Sequence, residues 1–258
     1  SYKEILTGRN HGKGLVNSNT IGMPQGGPLS PILSNIYLDK FDKELESRGL
    51  RSVRYADDSN IFVKSEMSAN RVMKSVTSWL ERKLFLKVSA TKTKVVRPTK
   101  SNFLGFTYVE IGDKWKCMPT HKSKMSLYDK CRKELIRKKC IARSNAITCT
   151  RINQIVRGWI NYFRIGKMKM FIDTFGQWLR HKIRVIIIKQ WKKPDKIERS
   201  LQLLNRKLPY KFSEEQIYSV ANTRLGWYGR ATRNVVNFLL NADILAINKR
   251  ERPGLVNP

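Results

Sequence analysis

Apolar residues in the first half of the chain follow helical and alternating patterns in turn. Helical spacing runs over 30–45 and again over 67–83. Between these two predicted helices, strand-forming residues flank a polar interruption and predict a β-hairpin over 52–63. A short strand is predicted at 94–96 and a second hairpin over 103–118. This order predicts an α+β layer, with helices packed on one face of an antiparallel sheet.

The second half of the chain has a different pattern of apolar residues, because the alternation typical of strands stops near Pro119. Three helical stripes follow, at about 122–142, 148–165 and 168–190. They predict a bundle of three helices that share an apolar core and turn basic faces outward. Shorter helical patterns complete the chain. The predicted domains are 1–118, 119–193 and 194–258.

Charge indicates the class of partner. The 258 residues include 51 Lys and Arg against 20 Asp and Glu, a formal net charge of +31 at pH 7. Residues 118–258 alone carry 31 basic and 9 acidic residues, a net of +22. Such a field attracts a polyanion, so nucleic acid is the expected partner, bound with strong salt dependence. The second half is the expected backbone-binding surface.

Two other classes of protein are disfavoured. The longest strongly apolar run, 185–188, lies between two basic residues and is too short to span a membrane, so no membrane partner is expected. The four cysteines form no C-x-x-C pair and have no histidines at zinc-finger spacing. They are predicted to be free thiols in a reducing compartment, the bacterial cytoplasm or an organelle.

Two adjacent carboxylates stand at the tip of the first predicted hairpin, in Tyr55-Ala56-Asp57-Asp58. Paired acids repel each other, so a cation usually offsets their cost, and a divalent metal is the obvious candidate. Upstream, Met23-Pro24-Gln25-Gly26-Gly27-Pro28 has the density of proline and glycine typical of a backbone loop.

These two features together resemble the palm of a reverse transcriptase, and their amino-acid sequences are similar to those of the group II intron maturase family. Phe103-Leu104-Gly105-Phe106 resembles the primer-grip hairpin of that family, and 157–163 resembles the signature of its maturase-specific thumb. The resemblance covers roughly residues 20–190, and 194–258 resembles the C-terminal DNA-binding region only loosely. It implies a palm, a helical thumb and a small helical C-terminal region.

The resemblance also implies an activity: RNA-directed DNA polymerisation for a mobile group II intron, together with help in splicing the intron RNA. The implied partners are group II intron RNA, a target DNA or primer-template duplex, and dNTPs, within a ribonucleoprotein. The implied cofactor is a pair of Mg²⁺ or Mn²⁺ ions held by Asp57 and Asp58, which are the implied catalytic residues. The implied nucleotide-binding residues are Gln25, Gly26, Tyr55, Ala56 and Lys92. The implied primer grip is Phe103, Leu104, Gly105 and Phe106. The implied nucleic-acid-binding residues of the thumb are Arg151, Arg157, Asn161, Arg164 and Lys167.

The sequence departs from the family in one respect. Family members supply a further aspartate from an upstream strand, yet the only acidic residue before Gln25 is Glu4, which lies in no recognisable apolar strand. Three explanations stay open: the carboxyl-terminal part of a longer enzyme, a protein whose amino-terminal part is lacking here, or a truncated relative.

Two functions from different classes follow. The first is the polymerase with maturase activity. The second is a non-catalytic RNA-binding splicing cofactor in which the palm is only scaffold. The intact acid pair favours the first, and the missing third carboxylate favours the second for these residues alone. A defence-associated reverse transcriptase is disfavoured by the thumb-like motif at 157–163.

Overall fold

The computed structural model describes residues 28–208 and 211–246. These residues divide into two compact units, one ending at Arg97 and the other beginning at Pro98. Each unit combines one antiparallel hairpin with helices, and the second unit continues into a long helical region. The predicted fold class, an α+β palm followed by a helical region, is confirmed. The predicted domain boundaries stay predictions.

The first unit contains helix α1 (Ser30–Ser47), strands β1 (Arg51–Tyr55) and β2 (Asp58–Phe62), and helix α2 (Glu66–Lys83). Helix α2 begins where the Ser65 hydroxyl accepts a hydrogen bond from the Ser68 amide, which satisfies one of the free amides of its first turn. Among residues 28–97, the buried core consists of Phe41, Leu45, Val76 and Leu84 with partly buried neighbours.

The strand predicted at 94–96 is wrong. Residues 84–97 are irregular, and β1 and β2 are the only strands of the described part of the first unit. A run as short as Lys94-Val95-Val96 gains little as a strand unless another strand offers its edge. Here Val96 is 45% exposed, and the pair of valines lies between Lys94 and Arg97.

The second unit begins with a short 3₁₀ turn at Pro98–Lys100. The hairpin that follows pairs β3 (Phe106–Ile111) with β4 (Lys114–Pro119). The helices after it are α3 (His121–Glu134), α4 (Arg137–Ala142), α5 (Asn145–Phe163), α6 (Lys169–Trp191), α7 (Pro194–Asn205), α8 (Glu214–Asn222), α9 (Trp227–Ala231), α10 (Asn234–Leu239) and α11 (Ala242–Ala246).

The first helix of the predicted bundle, at 122–142, is two helices. Helix α3 ends at Glu134 with Leu135 as its C-cap, and Ile136 is extended before α4 begins. An unbroken helix would continue the buried row of Leu127, Cys131 and Leu135 into Lys138 or Lys139. The break buries Cys140 instead and leaves both lysines exposed.

One hydrophobic cluster of 24 buried residues, from Leu127 to Leu245, joins the helices of the second unit. The long helix α6 contributes seven of its residues to buried positions, among them Phe175 and Leu179, each 1% exposed. The cluster continues across residue 194, so the thumb-like helices and the helices after them share one core. Among the described residues, no helix has both the length and the apolarity that crossing a membrane requires.

Candidate active site and nucleic-acid interface

The turn between β1 and β2 carries the acidic pair. Tyr55 pairs with Asp58, so Ala56 and Asp57 form a two-residue turn. Ala56 has a φ of +53°, a left-handed value that costs a residue with a side chain roughly 1 kcal/mol or more. Positive φ at the first turn residue alone is typical of a type II′ turn. We call residues 51–62 the acidic hairpin.

Arg54 supports this turn from the side of α1. Its guanidinium forms a forked ion pair with Asp42, with Nε 2.8 Å from Oδ1, and donates to the Asn35 side chain at 2.9 Å. The same guanidinium donates to the backbone carbonyl of Ala56 at 2.9 Å. The hydrogen bond to Asp42 raises the pKa of Arg54 above its usual value. Arg54 therefore connects the strained turn residue to helix α1.

The carboxylates themselves point to a cation. Asp57 and Asp58 are both exposed, and neither forms an ion pair with another described residue. Mg²⁺ is commonly held by one or two carboxylates together with substrate phosphates and water, so this donor pair fits the ion in kind. Within 28–208 and 211–246, no group of three or more His, Cys, Asp or Glu residues converges to complete a site.

The other residues with an implied role in nucleotide binding lie in three places. Tyr55, 64% exposed, and Ala56 flank Asp57 directly in the acidic hairpin. Lys92 is exposed in a turn within the irregular segment after α2, where its amide donates to the Ser89 carbonyl. Gln25 and Gly26 lie outside the described residues.

Residues Phe103–Phe106, predicted as the start of a strand, form a tight turn that we call the grip turn. Phe103 and Phe106 exchange backbone hydrogen bonds of 3.0 and 2.9 Å, and the strand begins only at Phe106. The two central residues, Leu104 and Gly105, have φ of +52° and +79°, as in a type I′ turn. A Cβ at Gly105 would lie 2.9 Å from the Ser123 hydroxyl, so glycine is also required by packing.

The grip turn packs against helix α5. The Tyr162 hydroxyl donates to the Leu104 carbonyl at 3.0 Å, and the Ser123 hydroxyl donates to the Gly105 carbonyl at the same distance. The Phe106 and Phe163 rings lie 4.9 Å apart. Two motifs separated by about fifty residues thus form one packed structure, a contact that neither motif reveals alone.

The five thumb residues singled out from the sequence all have exposed side chains on α5 or just after it. They are Arg151, Arg157, Asn161, Arg164 and Lys167. We call them the α5 polar surface. Its members are not equivalent, because the Arg151 guanidinium lies 3.5 Å from the Glu134 carboxylate, whereas Arg157 and Arg164 have no carboxylate partner among the described residues.

Trp159 marks the opposite face of α5. Its indole nitrogen donates to the Ser123 carbonyl at 3.2 Å, and its ring lies 4.6 Å from Phe163. An inward Trp159 and an exposed Arg157 agree with the helical stripe in the sequence. The arrangement leaves Arg157 free to contact phosphate.

Comparisons with known proteins match both parts of the chain. Residues 3–108 match the reverse transcriptase (RNA-dependent DNA polymerase) family, and residues 124–203 match the group II intron maturase-specific domain. Together these ranges cover more than half of the chain. The chain belongs to the group II intron reverse transcriptase and maturase family.

A curated relative agrees with this membership. Over 96 residues the chain is 32% identical to a Saccharomyces cerevisiae protein named for intron 2 of COX1/OXI3. The aligned part is 37% of this chain and 10% of the relative. The chain thus spans about a tenth of the length of the curated relative that it matches.

The family motifs did not reveal every residue that shapes these sites. The acidic hairpin is held by Arg54, Asp42 and Asn35. All three lie outside the segments that resemble the maturase family, which are 23–28, 55–58, 103–106 and 157–163. Their one sequence signal is the spacing of Asn35 and Asp42, seven residues apart and therefore on one face of α1. Ser123, which contacts the grip turn, had no signal beyond its place near the start of α3.

Proposed function

We propose that this chain provides the metal-binding hairpin and the RNA-binding thumb of an RNA-directed DNA polymerase that also acts as a maturase. The observation that carries the proposal is the acidic hairpin. It holds two exposed carboxylates that have no ion-pair partner among the described residues, beside a strained turn residue that Arg54 supports. The two adjacent carboxylates repel each other, and cations bound there in function would offset this repulsion.

Each part of the chain has a separate task in this proposal. Asp57 and Asp58 would hold the divalent cations, and Arg54 would keep the turn in its strained conformation. Bound cations would lower the pKa of the primer 3′-hydroxyl and neutralise the leaving pyrophosphate. The grip turn would support the primer end, and the α5 polar surface would bind the backbone of intron RNA or of a primer-template duplex. The dNTP would lie beside Tyr55 and Ala56, with Lys92 and the Gln25-Gly26 loop as further contacts.

The test compares Asp57→Asn with Asp113→Asn in an enzyme that includes an amino-terminal segment supplying the upstream aspartate. Asp113 is an exposed carboxylate in the β3–β4 turn and is the matched control. Asp57→Asn should reduce primer extension by about a thousandfold, because several kcal/mol of charge stabilisation are lost. RNA binding should not change. Extension at the normal rate by Asp57→Asn would contradict the proposed site.

These 258 residues alone should bind structured RNA yet extend a primer poorly. One hairpin supplies only two carboxylates, and the polymerase site needs more ligands on the nucleotide side. The measurement is primer extension by this chain with and without the separately supplied amino-terminal segment. Efficient extension by the lone chain would show that another acid, such as Glu4, completes the site.

The second candidate is a non-catalytic RNA-binding splicing cofactor. It is favoured by the α5 polar surface and by the net charge of +22 over residues 118–258. Arg157→Ala should weaken RNA binding and reduce its salt slope by about one, whereas Trp159→Ala should cost about 3 to 5 kcal/mol of stability. Reversed outcomes would show that the faces of α5 are assigned wrongly. Normal splicing by Asp57→Asn, without extension, would show that the chain has both roles.

A further inference from the structure

A recessed pocket of about 280 Å³ lies in the helical part of the second unit, away from the grip turn. Residues from the ends of α3 and α4, from α6 and from α9 line it. Its apolar part is formed by Leu135, Val185 and Ile186, which are 7%, 5% and 4% exposed. The volume is close to the lower limit of pockets that hold small organic groups.

Three cations line the same pocket: Arg132, Arg137 and Lys182. Among the described residues, only the first of them has a carboxylate partner, with its Nη1 2.9 Å from Asp129. Three like charges around an apolar floor repel one another, and an anion bound there would relieve this repulsion. The pocket therefore favours a ligand that carries negative charge.

Two aromatic side chains complete the lining, Trp178 and Tyr228. Tyr228 belongs to the Gly226-Trp227-Tyr228-Gly229-Arg230 segment, which has no part in the proposed polymerase site. Tyr228 is 56% exposed as a residue. Its ring lies 4.2 Å from the ring of His181, and the Lys182 ammonium lies 5.0 Å from its centroid. The Arg132 guanidinium lies 5.8 Å from the Trp178 ring. The pocket thus combines π faces with cations.

We propose that this pocket binds one unpaired nucleotide of structured RNA. The base would stack on Tyr228 and Trp178, and the flanking phosphates would lie against the three cations. Only an unpaired base can offer its face to a recessed aromatic site, since bases within a duplex are already stacked on their neighbours. An acidic peptide would satisfy the charges but would leave the aromatic faces without a planar partner.

The pocket would give the chain a way to recognise a bulge or loop, which the phosphate contacts of the α5 polar surface cannot do. Phosphate contacts position a nucleic acid without reading its unpaired bases. This inference rests on the proposed function, because it requires that the chain bind structured RNA.

The experiment uses the full chain and two synthetic RNA hairpins that differ only in one bulged 4-thiouridine. Affinity is measured at one fixed salt concentration, and ultraviolet cross-links from the bulged base are located by mass spectrometry. The bulged hairpin should bind about tenfold more tightly than the fully paired one, the usual gain from stacking one base on aromatic side chains. Cross-links should map to Tyr228 or Trp178.

Variants locate the effect. Tyr228→Ala should remove the preference for the bulge, Tyr228→Phe should retain it, and Lys182→Gln should weaken binding of the bulged hairpin more than of the paired one. Lys196→Ala, which removes an exposed cation of α7 outside the pocket, is the control and should keep the preference. Because Tyr228 is largely exposed, its truncation should not unfold the chain.

The possible failures are distinguishable. Equal binding of both hairpins, or cross-links on α5 alone, would overturn the pocket while leaving the proposed function intact. Absence of binding to either hairpin would overturn both. Displacement of the bulged base by free AMP or dATP at similar affinity would assign the pocket to a free nucleotide, and an equal preference for a bulged DNA hairpin would show that it does not select RNA. Displacement by an acidic peptide would overturn the assignment to nucleotides.

Discussion

The acidic hairpin and the grip turn each contain a two-residue turn in which a residue with a side chain adopts left-handed φ, yet the two turns are held in different ways. Ala56 is supported by one guanidinium that reaches its carbonyl from the side. Leu104 is held by the Tyr162 hydroxyl, beside a glycine packed under Phe163. A single guanidinium supports the first turn, whereas two hydroxyl hydrogen bonds and aromatic packing together support the second.

The cores of the two units that contain these turns differ in size. Counted over the described residues alone, the unit of the acidic hairpin has four buried core residues, whereas the unit of the grip turn has a 24-residue cluster. A large core makes local geometry expensive to change, while a small one leaves it dependent on a few polar contacts. In the proposed function, the smaller core suits the acidic hairpin, whose metal-binding turn must stay open to solvent. The larger core suits the grip turn, which must stay rigid to support the primer.

The largest expected effect comes from removing the aromatic support of the grip turn. Phe163 is 6% exposed and contacts Phe106, Trp159 and Tyr162. Phe163→Ala should lower the free energy of unfolding of the second unit by about 3 to 5 kcal/mol, the usual cost of truncating a buried aromatic residue. Chemical denaturation measures this cost, and hydrogen exchange should show faster exchange in the grip turn but not in the acidic hairpin.

The control for this change is Phe85→Ala. Phe85 is 85% exposed, so its truncation should alter stability by less than about 0.5 kcal/mol. Equal losses from the two substitutions would mean that packing on Phe163 is not what holds the grip turn.

A smaller effect is expected at the acidic hairpin. The Arg54 side chain is 13% exposed and satisfies Asp42, Asn35 and the Ala56 carbonyl at once. Arg54→Leu should destabilise the first unit by about 2 kcal/mol, and Arg54→Lys should recover only part of this, because an ammonium cannot reproduce the fork. Amide exchange at Asp57 and Asp58 should accelerate in both variants, while RNA binding stays normal.

Arg51→Leu is the matched control, because Arg51 is an exposed arginine on the same strand. It should leave stability within about 0.5 kcal/mol. If Arg54→Leu behaved like this control, the turn would owe its conformation to the strands alone.

Features that lie within one helix or hairpin could be predicted from the sequence. Helical and alternating patterns indicated α1, α2, the acidic hairpin and the apolar stripe of α5, because each depends on periodicity along one element. The resemblance supplied Asp57 and Asp58, which adjoin each other in the chain.

What sequence patterns missed depends on contacts between distant positions. The pairing of Arg54 with Asp42 and the packing of the grip turn on α5 exist only once elements are folded together. The break between α3 and α4 buries Cys140 and keeps the neighbouring lysines exposed. Predicting it requires knowing where the core lies. The irregular segment at 94–96 has no partner strand in the described part of the chain, and its two valines do not reveal that.

The smallest expected effect separates backbone strain from packing in the grip turn. Gly105 and Gly112 both have positive φ, +79° and +58°, so alanine at either position costs about 1 kcal/mol of backbone strain. A Cβ at Gly112 meets nothing within 4 Å, whereas a Cβ at Gly105 meets the Ser123 hydroxyl at 2.9 Å and the Phe163 ring at 3.3 Å. Since that hydroxyl donates to the Gly105 carbonyl, moving it aside would break a hydrogen bond. Gly105→Ala should therefore cost about 1 kcal/mol more than Gly112→Ala in denaturation experiments. Equal costs would show that the grip turn is held by its own backbone, as a free hairpin turn is, and that α5 only lies beside it.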